Sequence, residues 1–141
     1  MLEGQSLNLI ECAKVKITDA LESPILPESV KNDLEGSGNV FLTIYSKKSK
    51  TLRFFPTKDD DIWWLKIAIS SFSPETSGKI LAKLNKLITE FVYSTGVCIS
   101  KSDCFWDGII LDSSFKTNKE QIIETIKEIP NVKDVTMKAI E

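Results

Sequence analysis

The residues able to do chemistry in this 141-residue chain are few, and their types narrow what that chemistry could be. Histidine is absent. That removes the commonest general base, the Ser-His and Cys-His nucleophile pairs, and the commonest neutral metal ligand. The three cysteines, Cys12, Cys98 and Cys104, are too few and too irregularly spaced for a disulfide framework or a zinc pair, and buried, inert thiols are the favoured expectation. Cys98 and Cys104 flank a predicted hairpin turn and could face each other across strands, but reduction in a cytosolic setting argues against a structural disulfide. Asp103, Asp107 and Asp112 have no matching acid-base partner or metal-loop spacing. Asp59, Asp60 and Asp61 could collect a cation but read more simply as an acidic linker. No catalytic constellation, metal site or cofactor site emerges, and a non-enzyme is expected.

Three groupings remain as binding candidates. Residues 71–78, SFSPETSG, offer hydroxyls and backbone N–H groups at a helix start, which suits a carboxylate or phosphate; the simpler reading is an ordinary capped helix. Lys47, Lys48, Lys50 and Arg53 cluster at a hairpin tip, where they could contact a phosphate backbone or merely blunt strand edges. Trp63, Trp64, Phe72, Phe105 and Trp106 concentrate aromatic surface, read as core or interface packing before a stacking platform.

Several elements must position these groups. The central one spans residues 62–91, a strand rich in Ile and Trp, a short loop and an amphipathic helix. Ser73 can cap that helix, Pro74 suits its first position, and Ile80, Leu81, Leu84, Leu87, Ile88 and Phe91 recur at helical spacing. Adjacent Trp63 and Trp64 must point to opposite faces of a strand. Upstream, strands are expected over residues 12–18, 39–45 and 51–55, with a short helix from Pro27 ended by Gly36 and Gly38. Downstream, strands over 95–100 and 104–111 form a hairpin, Asn118 caps a helix over 120–129, and residues 132–140 close as a strand.

The expected class is α+β. A small, mostly β domain (residues 1–56) precedes an acidic linker (57–61) and a ferredoxin-like β-α-β-β-α-β domain (62–141). Hydrophobic residues at 42% and charged residues at 27% suit a globular chain that buries a core. No apolar run approaches a membrane span, and the N-terminus lacks a basic-then-apolar leader pattern, so a cytoplasmic protein without membrane contact is expected. Net charge is −2 and neither half hides a basic excess, so any nucleic-acid site has to be a local patch.

Within this frame residues 62–141 resemble the ACT domain, a regulatory module that binds small molecules, often amino acids. The strand IWWLKIAIS, the loop SFSPETSG and the ending IPNVKDVTMKAI carry the likeness. The resemblance implies a homodimer or higher homo-oligomer, and an amino acid or anionic metabolite bound near Ser71, Phe72, Ser73, Thr76, Ser77 and Gly78. Residues 13–56 are similar in order to AbrB/SpoVT-type swapped-hairpin DNA-binding domains. Ile25-Leu26-Pro27-Glu28-Ser29-Val30-Lys31 and the Gly36–Gly38 turn occupy the places that family uses. That second likeness implies transcription regulation, with double-stranded DNA held by the hairpin carrying Lys47, Lys48, Lys50 and Arg53. Together they imply a ligand-responsive regulator; the alternative is a small-molecule-binding or assembly module that does not bind nucleic acid.

Overall fold

Seven strands form two antiparallel sheets in the computed structural model, which describes residues 10–58 and 61–141. The expected loose start over residues 1–9, and Asp59 and Asp60 of the expected linker, lie outside the described residues. The chain divides into two compact units, one within Met1–Asp60 together with Ile140–Glu141, the other Asp61–Ala139. The class is therefore mixed α and β, as expected. No helix among the described residues is long and apolar enough to cross a membrane.

The first unit is a three-stranded meander, β1 (Ile10–Lys16), β2 (Val40–Ser46) and β3 (Thr51–Thr57), in spatial order β1-β2-β3. Two short helices, α1 (Ile17–Leu21) and α2 (Glu28–Leu34), join β1 to β2. The strand expected over residues 12–18 thus stops two residues early. Ile17 and Ala20 are three apart, a helical spacing, and as a helix they bury together against fully buried Phe41. Val15, Leu21, Leu34 and Phe54 surround that cluster, and the Phe41 and Phe54 rings lie 5.9 Å apart. Pro27 does stand just before α2, where its missing N–H costs nothing.

The expected linker also begins too early. Thr57 belongs to β3, pairs with Val40 and is buried, its hydroxyl donating to the Val40 carbonyl at 3.2 Å. The Thr57 carbonyl in turn accepts the Asn39 N–H at 3.0 Å. A Cβ on Gly38 would fall onto that same Thr57 carbonyl, a backbone atom with no side-chain freedom to yield. Gly38→Ala is therefore expected to cost about 1–3 kcal/mol of stability, read as a lowered denaturant midpoint.

The second unit runs β4 (Ile62–Ile69), α3 (Pro74–Leu87), β5 (Tyr93–Ser100), β6 (Asp103–Leu111), a 3-10 turn (Asp112–Ser114), α4 (Lys119–Lys127) and β7 (Val132–Ala139). Its strands stand in the order β5-β6-β4-β7, every neighbouring pair antiparallel. Period-two alternation puts Leu65, Ile67 and Ile69 on one face. There they join Ile80 and Leu84 of α3 and Ile122 and Ile126 of α4 in one core. Both helices carry side-chain caps: Ser73 Oγ accepts from the Thr76 N–H at 3.1 Å, and Asn118 Oδ1 accepts from the Gln121 N–H at 2.8 Å.

Helix α3 ends at Leu87, short of the Phe91 to which the periodicity extends it. Ile88 has extended backbone and bridges to Phe115, and the Lys116 N–H donates to the Leu87 carbonyl at 2.9 Å. Tertiary backbone pairing here overrides a helical side-chain pattern that continues past the helix end.

Candidate functional site

Hydroxyl groups at the start of α3 are largely committed to structure. Ser73 Oγ also donates to Thr76 Oγ1 at 3.0 Å, and buried Thr76 Oγ1 accepts from Asn131 Nδ2 at 3.3 Å. Asn131 adopts a left-handed backbone (φ 75°), and its carbonyl accepts the Ser70 N–H at 2.9 Å. The Ser77 N–H goes to the Ser73 carbonyl at 2.9 Å. Ser73 and Thr76 therefore tie the helix start to the turn before β7, and the Thr76 and Ser77 N–H groups are occupied.

A cavity of about 240 Å³ opens beside this helix start. Ile69, Phe72, Ser77, Ile80, Leu81, Gly96 and Trp106 line it, so its wall is almost wholly apolar. Two of the six expected site residues, Phe72 and Ser77, reach it; Ser71 and Gly78 do not line it. A side chain added at Gly78 would meet nothing within 4 Å. The sequence reading missed the rest of the wall. Ser77, Ile80 and Leu81 share one helical face at spacings of three and four, a signal present in the periodicity. Gly96 and Trp106 could not be found that way, because they meet only through the β5–β6 register, where they are direct partners. A Cβ at Gly96 would come within 2.9 Å of Phe72 Cζ, so any other residue there would push the Phe72 ring from its place on β5.

On the other face of the sheet lies a charge pair that the sequence reading also missed. Lys66 and Asp107 are register partners on β4 and β6, with Nζ 3.5 Å from Oδ1. Both are buried, Asp107 at 2% exposure. The Trp64 indole N–H donates to the same Oδ1 at 2.8 Å. The Lys66 ammonium lies 5.2 Å from the Trp64 ring centre and 5.5 Å from that of Phe105. Burial raises the Asp107 carboxyl above its ordinary value, against the opposing pulls of Lys66 and the Trp64 hydrogen bond.

The other two aspartates also form ion pairs. Asp112 Oδ1 accepts from Trp63 Nε1 and pairs with Lys119, both at 3.0 Å. Asp103 pairs with Lys133 at 3.1 Å. The Lys133 hydrogen bond, then that from Ser100, holds the exposed Asp103 carboxyl below its ordinary value. Among the described residues no cluster of His, Cys, Asp and Glu is suited to a metal ion.

The basic cluster is placed at the β2–β3 turn. Lys48, Lys50 and Arg53 are exposed, Lys50 taking a left-handed turn conformation (φ 57°), while Lys47 pairs with Glu11 at 3.1 Å. The expectation of three inert thiols is corrected: Cys98 and Cys104, register partners across β5 and β6, form a disulfide with Cα atoms 4.0 Å apart. Cys12 keeps its thiol.

No protein-family model and no curated protein matches this sequence.

Proposed function

We propose that the protein is a non-enzymatic, ligand-responsive regulator whose second unit is an ACT-like, ferredoxin-like sensing and dimerisation domain. The β-α-β-β-α-β order, the strand order β5-β6-β4-β7 and two helices on one face support that reading. The observation that carries the function is the apolar cavity between β5, β6 and the start of α3. Its roughly 240 Å³ exceeds the about 150 Å³ that suffices for a benzene-sized guest. It suits a compact branched or aromatic group, with the Ser77 hydroxyl as the polar contact. An amino acid with such a side chain fits this description better than a small inorganic anion, because the N–H groups of Thr76 and Ser77 are already satisfied.

A thermal-shift series of the whole protein with the amino acids tests this. Branched or aromatic members are expected to raise the melting temperature in a concentration-dependent way, and Leu81→Trp is expected to weaken that binding at least about tenfold by filling the mouth of the cavity. A flat response to the whole series from folded protein would remove the sensing role.

For the first unit, the reading extends to double-stranded DNA contacted by Lys48, Lys50 and Arg53 at the exposed hairpin tip. The pairing of Lys47 with Glu11 supports the alternative, a small-molecule-binding or assembly module that does not bind nucleic acid, because it partly neutralises the cluster. A DNA mobility shift that fades as salt rises separates the two.

A further inference from the structure

We infer that the Cys98–Cys104 bond is a reversible thiol–disulfide site, and that its oxidation state controls how firmly the edge strand β5 is held. Strand β5 is an outer strand of its sheet, bonded on one side only, to β6. Its ladder is already irregular beside the bridge, with a register shift between Cys98 and Ser100. Cys98 is exposed, whereas Cys104 is almost completely buried at 1%. The two cysteines are only six apart in sequence and are placed as partners by a tight hairpin, so the covalent bond closes a very short loop. A bridge of that kind constrains the unfolded chain far less than one closing a long loop. Its main effect is local, on the strand that has no second neighbour.

The exchange balances without any group beyond a thiol reductant. A reductant thiolate attacks Cys98 Sγ, the accessible sulfur; the S–S bond breaks and Cys104 leaves with the electron pair. Cys104 then takes a proton, and its thiol can donate to the Ser100 carbonyl 3.8 Å away. A second reductant thiolate attacks the mixed disulfide, releasing Cys98 as a thiol and the reductant as its own disulfide. Two electrons and two protons enter the protein. Oxidised reductant drives the reverse.

What the bond holds in place is specific. On the same sheet face, Gly96 and Trp106 lie two residues from Cys98 and Cys104 and form part of the cavity wall, and Phe72 rests on Gly96. Opening the bridge loosens that wall. The bridge and the strand act without any ligand, so a bond that proves fixed would leave ligand binding at the cavity untouched.

The whole protein is equilibrated in glutathione buffers from fully oxidised to fully reduced, quenched, unfolded and alkylated for mass analysis, with hydrogen exchange of β5 measured in parallel. The expected result is one alkylated cysteine at the oxidised end and three at the reduced end, reached reversibly by folded protein, with β5 amides exchanging about tenfold faster or more when reduced. The double variant Cys98→Ser/Cys104→Ser is expected to show the fast exchange in every buffer. A bridge that opens only on global unfolding would overturn the inference, as would a folded dithiol that never closes. Equal β5 exchange in both states would overturn it too.

Discussion

Lys66→Ala is expected to destabilise the protein by about 3–5 kcal/mol, because it leaves the Asp107 carboxylate buried without its counter-charge. Asp107 is 2% exposed, and its Oδ1 would retain only the Trp64 indole hydrogen bond at 2.8 Å. The carboxylate stays at an enclosed site, so the cost is mainly the desolvation of an unpaired charge and not the worth of the pair itself. That distinction has its own test. The double variant Lys66→Met/Asp107→Leu, which removes both charges and keeps apolar volume, is expected to recover most of the loss in a denaturant titration. If the double variant stays as unstable as the single one, the pair contributes more than mutual neutralisation.

The pH dependence follows with a definite sign. The folded-state value of Asp107 is raised above its ordinary 3.8, so the native state holds that proton longer than the unfolded chain does. Its contribution to stability is present below 3.8 and is lost as pH rises from there through the raised native value. Asp103 works in the opposite direction: its lowered value adds stability above 3.8 that is lost as pH falls through the native value. Asp107→Asn is therefore expected to remove the fall in stability on the upper side of 3.8, while the loss at lower pH persists, as read from denaturant midpoints across the acid range.

The features legible in the sequence were those set by local chemistry. Ser73 and Asn118 cap helices because a side-chain oxygen can reach an N–H three residues on, and both do. Hairpin turns and strand alternation are equally local. What could not be read depends on residues far apart in the chain. Ile88 leaves the helical pattern because Phe115 offers a backbone partner. Lys66 reads as a lone charge in an apolar strand until the β4–β6 register sets Asp107 opposite it. The cysteines are a sharper case: their spacing across a turn permitted a bridge, and an argument from compartment set it aside. Register sets Cys98 directly opposite Cys104, a placement that spacing along the chain permits but does not fix. The candidate site was half legible for the same reason, with Phe72 and Ser77 near the helix start and Gly96 and Trp106 supplied by strand pairing.

Leu84 and Leu81 separate fold from site on one helix. Both belong to the apolar repeat that predicts α3, and from sequence alone they are equivalent. Leu84 is fully buried among Leu65, Ile67 and Ile69 of β4 and Ile122 and Ile126 of α4. Leu84→Ala is expected to cost about 2–5 kcal/mol, the lost transfer energy plus the void left in a core braced on two sides. Leu81, 48% exposed, lines the cavity instead of the core, and Leu81→Ala is expected to change stability by no more than about 0.5 kcal/mol. Its effect belongs to binding, because shortening it widens the cavity mouth and removes apolar contact with any guest. Denaturant titration and ligand thermal shift on the two variants should therefore give crossed results: a large stability loss for Leu84→Ala, and a weakened ligand response with near-native stability for Leu81→Ala. A large stability loss in both would place Leu81 in the core and leave α3 with a purely structural apolar face.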